Sequence, residues 1–346
     1  RYLEALPDEE TLEQRQARNQ GLTRPELSIL LAYSKIGLYE KILTSSLPDK
    51  PFYRPWFEGY FPKIIQERFS KAILSHPLRR EITATVLANE MINRVGPAFI
   101  HEIIQTSGIT QVDVVEAFFL ACHVLELSKL WHQVDKLDSL MVENIQTQVL
   151  LDINQSLRQI VLWFLRHPDI KQTHFTGLHT LLSQIPERLH GDQKHIFELR
   201  NSGFVHHGIP SNIAQNLAMI PFLPTLMDIM LLGKKHHNPT AIAQTYFTLR
   251  SKIGLDWLTI QASQLHLDSD WQRSARTILI DDLSQIQFKL TTRVLTEDAD
   301  RDVEAWMQKH KNNIHRIHPI LDNIKSAGHP DLGMLSYAMR QLERLV

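Results

Sequence analysis

Cysteine is almost missing from these 346 residues. Cys122 stands alone, so no internal disulfide framework can form, and a reducing compartment, the cytoplasm, is expected. A lone thiol on an apolar helix reads as a small core residue. Neither sign of charge prevails: 37 basic residues face 38 acidic ones, and the pI is near 7.1. The electrostatic footprint of a polyanion binder is therefore lacking. No apolar run reaches the roughly 20 residues that cross a bilayer. The longest, Ala218 to Leu232, is interrupted by Pro221, Pro224 and Asp228. Neither nucleic acid nor membrane is expected as a partner.

Glycine is sparse where nucleotide chemistry needs it. A phosphate-binding turn uses glycine because only its backbone can approach the phosphates closely. Among the 13 glycines no two are separated by a single residue, which excludes GxGxxG. The Gly233-Lys234 pair has Asp228 where a P-loop begins with glycine. Metal patterns fail in the same way. His101-Glu102 opens like HExxH, but Gln105 takes the place of the second imidazole, leaving a surface helix. His315 and His318 share a helix face without a third ligand nearby, and the adjacent pairs His206-His207 and His236-His237 do not aim at one ion. Asp298, Asp300 and Asp302 imitate the start of a calcium loop, yet Val303 replaces its glycine and Lys309 its closing glutamate. That tract reads as a solvated helix start matched to the helix dipole. Asp281 and Asp282, about 100° apart on a helix, suit an exposed face better than shared acid/base work. No catalytic, cofactor-binding or metal residue is assigned, and no cofactor is expected in this chain.

What is there is helical periodicity, almost everywhere. Thr23-Arg24-Pro25-Glu26 has the form of a capping box with proline in the first turn, starting a helix that runs to about Leu43. Further helices are expected from Pro62, Pro77, Pro97 and Val112. A long one spans roughly Leu140 to His167, with Val142, Ile145, Val149, Ile153, Leu157, Ile160 and Phe164 on its stripe. Others follow from His174, Gln193, Ser211, Pro224 and Pro239. Another starts near Asp270 with the stripe Ala275, Leu279, Leu283, Ile286, Leu290 and Val294, and helices from Ala299, His315 and Asp331 close the chain. The expected fold class is all-α, an irregular multi-helix bundle without a Rossmann sheet. The expected divisions are 1–21, a lead-in from a cut upstream domain; 22–167, a first helical subdomain; and 168–346, a second. The boundary is placed at His167-Pro168-Asp169. The start RYLEALPDEE, without an initiating Met or a signal-peptide pattern, suggests a piece of a longer polypeptide.

His76 to Arg94 carries the most polar detail. Projection places Leu78, Ile82, Thr85, Asn89 and Ile92 on one stripe with Asn93 at its edge, so Asn89 is expected in a core; Ala84, Leu87, Ala88 and Met91 lie on the other faces, so the helix is expected to be surrounded on most sides. A core amide without a partner costs roughly 1–3 kcal/mol. Asn89 and Asn93 therefore either tie helices together or line a pocket, and Arg79, Thr83, Glu90 and Arg94 form a polar strip. Arg79, Asn89, Glu90, Asn93 and Arg94 are the candidate contact surface or pocket. Glu90 and Arg94, four apart, can pair.

These tracts also carry a resemblance. Gly21 to Leu27 followed by Leu30 to Lys35, then Ser46-Leu47-Pro48-Asp49, Tyr60-Phe61-Pro62 and Leu78 to Arg94, resemble the C-terminal region of the large bacterial NAD-specific glutamate dehydrogenases. Tyr246-Phe247, Gly254 to Leu258, Trp271-Gln272, Ala275-Arg276 and Asp281 to Leu283 continue the likeness, so it covers nearly the whole chain. It implies a long parent oxidoreductase of amino-acid catabolism that deaminates L-glutamate to 2-oxoglutarate and ammonia with NAD as cofactor. It also implies that the glutamate and NAD sites lie upstream, in agreement with the missing glycine fingerprint. No family catalytic residue maps onto this chain. The implied partners are the upstream catalytic domain of the same polypeptide and further copies in a homo-oligomer, and the implied roles are core support, assembly or regulation. A free-standing helical protein-binding module is the alternative.

Overall fold

Caps and breakers set the helices. In this computed structural model, residues 6–137, 141–236, 238–267, 269–297 and 302–346 are described. Among them there is no strand, and the fold is all-α. The chain divides into two compact units, the first ending at Leu120 and the second running from Ala121 to Val346.

The first unit contains α1 (Glu9–Ala17), α2 (Arg24–Leu43), α3 (Arg54–Gly59), α4 (Lys63–Leu74), α5 (Arg79–Val95), α6 (Ala98–Ser107) and most of α7 (Gln111–Val124). Residues 1–21, expected only as a lead-in, thus include a helix, capped by Asp8, whose carboxylate accepts from Thr11 N at 2.9 Å. The capping box of α2 forms as expected. Between α2 and α3, Leu47–Asp49 and Pro51–Tyr53 form two 3-10 turns, with Leu47, Pro48 and Tyr53 buried. Edge-on aromatic contacts consolidate this region: Phe119 meets Tyr53 at 5.8 Å and Trp56 at 5.1 Å.

In the second unit follow α8 (Leu127–Lys136), α9 (Glu143–Arg166), α10 (Leu178–Gln184), α11 (Gly191–His206), α12 (Ser211–Met219), α13 (Leu223–His236) and α14 (Pro239–Lys252). They are completed by α15 (Leu255–Gln264), α16 (Asp270–Glu297), α17 (Val303–Lys309), α18 (Lys311–Ser326) and α19 (Leu332–Glu343). The helix expected from His174 is in fact broken. Gly177 takes a left-handed φ of 88° and caps α10 at its start, and Pro186 lies in a closing 3-10 turn. Most of each expected stripe is buried: on α9 Val149, Ile153, Leu157, Ile160 and Phe164, while Ile145 is half-buried and Val142, just before the helix, exposed; on α16 Ala275 is half-buried, and Leu279, Leu283, Ile286, Leu290 and Val294 are buried. The latter join Leu255, Leu258, Trp306, Ile317, Leu321, Leu335 and Leu342 in one core. Cys122 is buried.

His167-Pro168-Asp169 does end α9, but it falls inside the second unit. The reason is packing across the break. His167 stacks on Trp163 at 4.2 Å, and α9 packs against α13, so residues on both sides of the break share one core. The apolar stretch Ser211–Lys234 is long and apolar enough to cross a membrane by composition, yet it is 72% buried within the fold.

Candidate functional site

The polar words of the first unit meet at helix ends. The first amides and last carbonyls of a helix lack intrahelical partners. At the start of α2, Glu26 accepts from Thr23 N at 2.7 Å and from Arg15 Nη1 at 2.8 Å. Those donors, with that of Arg15 foremost, hold its carboxyl down to about 2. At the other end, Arg80 donates to the carbonyls of Leu43 at 2.7 Å and Ser45 at 3.0 Å, and also to the Asp49 carboxylate. Arg79 approaches the same carboxylate at 3.7 Å. A guanidinium presents several donors in a rigid fork, so one side chain can serve three acceptors. Buried Leu47 and Pro48 fix the turn that presents Asp49. Leu47-Pro48-Asp49 and Arg79-Arg80-Glu81 are therefore two halves of one clasp.

The stripe expected around Asn89 is corrected. The buried residues of α5 are Thr83, Ala84, Leu87, Ala88, Met91 and Ile92, on the opposite side of the helix for all but Ile92. Leu78 and Thr85 are exposed, Asn89 is half-buried and Asn93 exposed, so neither asparagine occupies the core. Thr83, expected on the polar strip, is 1% exposed, and its hydroxyl donates to the Arg79 carbonyl at 2.7 Å. The physical cause is the alanines. Their small side chains carry little hydrophobic signal in a projection but let α2 approach closely, and α2 is the main partner of α5. Glu90 and Arg94 do pair, at 3.3 Å. Arg79 lies some 15 residues from Arg94, roughly 22 Å along the helix, so the five candidates do not converge on one pocket.

The second unit has an enclosed polar network. Asp228 on α13 accepts from Trp163 Nε1 of α9 at 2.7 Å and from the Tyr246 hydroxyl of α14 at 3.0 Å. Burial pushes its carboxyl up to about 6 against the pull of these two donors, and pushes the Tyr246 phenol well above its ordinary range. Gln287 on α16 reaches the same helix, donating to the Tyr246 carbonyl at 2.9 Å. Nearby, Asp256 Oδ1 accepts from Arg250 Nε at 2.7 Å and from Gln193 Nε2. Its Oδ2 has no protein partner, and burial raises this carboxyl to about 6 as well. Arg250 also donates to Thr259 at 2.9 Å, tying α14 to α15. Both Asp228 oxygens are engaged by donors of their own unit, so neither is presented to a substrate. Burial of charge is tolerated here because it is hydrogen-bonded.

The residues flagged as mimics also have places. Asp281 is half-buried rather than on an exposed face, because Arg166 of α9 pairs with it. Burial, with Asp281 beside it, raises the Asp282 carboxyl. Asp302 caps α17, accepting from Glu304 N at 2.9 Å, while Asp298 and Asp300 lie outside the described residues. His206 and His207 are exposed, and His237 lies outside the described residues. Among the described residues no cluster of three metal-ligating side chains occurs. A shallow groove of about 510 Å³ beside α16 and α19 is lined by Asp282, Met339, Arg340, Glu343 and Arg344. Its lining is mostly charged, unlike the apolar lining of typical ligand pockets.

Sequence reasoning missed Arg80, Trp163 and Asp228 as structural anchors. The signal for Asp228 was an acid inside the apolar run Ala218 to Leu232. For Arg80 it was the doubled arginine, Arg79-Arg80, at the start of α5.

The likeness to known proteins covers the whole length over which these anchors are spread. The chain is similar to NAD-specific glutamate dehydrogenases from Halomonas elongata, 29% identical, and from Pseudomonas aeruginosa, 31% identical, each match covering 99% of this chain. It is likewise 29% identical to the NAD-specific glutamate dehydrogenase of Mycobacterium tuberculosis, over 100% of this chain. In each case it spans 22% of the relative's length. Residues 19–344, which hold both the α2–α5 clasp and the Asp228 network, match the family described as glutamate dehydrogenase, C-terminal, and the chain belongs to that family.

Proposed function

We propose that this chain is the helical C-terminal part of a cytoplasmic NAD-dependent glutamate dehydrogenase. Its parent converts L-glutamate and NAD to 2-oxoglutarate, ammonia and NADH. The observation that carries a scaffolding role is how the motif residues use their polar atoms. Glu26, Asp49, Arg80, Tyr246 and Asp256 each engage another element of the fold. Such residues set the relative placement of helices and leave the reacting groups and the NAD site to the upstream polypeptide. In this reading the region supports the catalytic part, assists homo-oligomer assembly and conveys regulation between copies. The test is direct. Full-length protein reduces NAD in the presence of glutamate, and residues 1–346 alone do not; a steady rate of NADH formation from the pure region sinks the non-catalytic reading.

A further inference from the structure

Helix α2 is apolar on two sides, and among the described residues only one of them is buried. Projection at about 100° per residue sets Leu31, Leu38 and Ile42 on one side and Ile29, Tyr33 and Ile36 on the other. Leu38 and Ile42 are buried, and α2 packs against α5. On the outer side Leu30 is 40% exposed, Tyr33 52% and Ile36 53%. Leu12 of α1 and Leu22, ahead of the start of α2, are exposed as well. Between residues 25 and 39 only Glu26 and Lys35 are charged, and Glu26 is held by Arg15. A helix that is hydrophobic all round belongs in a buried setting, and contiguous exposed apolar surface marks an interaction site.

We propose that the outer face of α2, centred on Leu30, Tyr33 and Ile36, is the docking surface for the polypeptide that precedes this region in the full-length protein. The proposal rests on the reading of the chain as the C-terminal part of a longer enzyme. Two observations select that occupant over a second copy of this region. The matched relatives carry more than three quarters of their length outside the matched part, since this chain spans 22% of each, and the matching family is a C-terminal one. The segment that leads into α2 is also held beside it, since α1 is pinned to the start of α2 by Arg15 and Glu26 at 2.8 Å. A short tether gives an effective concentration of roughly millimolar order, which a separate copy does not reach by diffusion. The near absence of charge on the face specifies an apolar counterpart, like the core of a permanent interface.

The experiment places the photo-crosslinking residue benzoylphenylalanine at Leu30 or Ile36 of the full-length protein, assembled from a mixture of light-nitrogen and heavy-nitrogen copies. After irradiation, peptides are mapped by mass spectrometry. The expected result is crosslinks from both positions to residues N-terminal to Arg1, light to light and heavy to heavy. Crosslinks to residues 121–346, mixed-isotope crosslinks to another copy, or reaction with solvent alone overturn the proposal. In the same preparation, glutamate-dependent NAD reduction tests the enzyme reading separately. Upstream crosslinks without that activity uphold the docking surface and sink the dehydrogenase; activity without upstream crosslinks does the reverse.

Discussion

The two units place their polar ties differently. The first holds α2 by its ends: Arg80 and Asp49, both partly exposed, fasten the C-terminal end, and Glu26, 7% exposed, fastens the start through Arg15. The second encloses its ties, so that Asp228, Asp256 and Gln287 sit among apolar side chains at 7%, 4% and 0% exposure. Surface ties fix where helices begin and end at modest energy. Enclosed ties fix which helices pack together, since a stranded buried donor costs far more than a lost surface pair. The enclosed ties of the second unit link α9, α13, α14 and α16 to one another.

The sharpest way to break this contrast is Asp228→Leu. It strands Trp163 Nε1 and the Tyr246 hydroxyl, and a loss of roughly 2–5 kcal/mol is expected for the second unit, read by urea unfolding with tryptophan fluorescence. Asp228→Asn retains an acceptor and should lose less. A loss below about 1 kcal/mol for the leucine variant would make the network incidental.

Acidity separates the units next. Asp228 and Asp256 have folded values near 6, above the ordinary aspartate value of about 3.9. They bind protons more readily folded than unfolded, so their contribution is full below about pH 4 and is lost as the pH rises through about 6. Each accounts for on the order of 2–3 kcal/mol across that window. Glu26, held down to about 2, has the reverse sign: its contribution is present above about 4.5 and is lost as the pH falls toward 2. Glu297 at the end of α16, held down to about 2 chiefly by Arg293, follows Glu26. Hydrogen exchange, corrected for its intrinsic pH dependence, should show α13–α15 better protected at pH 5 than at pH 7.5. Asp228→Asn with Asp256→Asn should flatten that difference. Equal protection in the parent protein at both pH values would refute the assignment.

Arg80→Met should cost about 1 kcal/mol, because the guanidinium is partly exposed and screened. Arg80→Lys should restore only part of it, since one ammonium does not reproduce the fork. Exchange at the last amides of α2 is the local readout, and no change there would remove the clasp from the account. The smallest effect belongs to Arg94→Glu, which breaks the Glu90 pair at a cost of roughly 0.5 kcal/mol or less. Sedimentation and kinetics of the full-length protein carrying this change test whether that face also makes a contact beyond this region.

Much of the fold was legible because its signals are local. The capping box at Thr23, the stripe on α9 and the stripe on α16 each depend on neighbours within a few residues, and each stands in the structure. The failures came where tertiary packing decided. On α5 projection does not single out the face with Ala84, Leu87, Ala88 and Met91 as the deeply buried one, because the stripe with Leu78, Ile82 and Ile92 is apolar too. His167 carries a local stop signal, but Trp163 before it and Asp228 well after it are bonded. Leu255–Gln264 is a helix that the expected set does not contain. Gly254 takes φ 79° as the cap, and a Cβ there would stand 2.6 Å from Leu321 Cδ1. The anchors Arg80 and Asp228 were hidden because their partners lie 31 and 65 residues away.

Asp228 also bears on how the chain is made. The apolar stretch Ser211–Lys234, which by composition could enter a bilayer, emerges from the ribosome ahead of Tyr246, the partner that later bonds its carboxylate. An ionised aspartate within such a segment disfavours insertion by up to roughly 3 kcal/mol. The same side chain that ties α13 to α14 in the fold thus also lowers the membrane affinity of the stretch while it is unpaired.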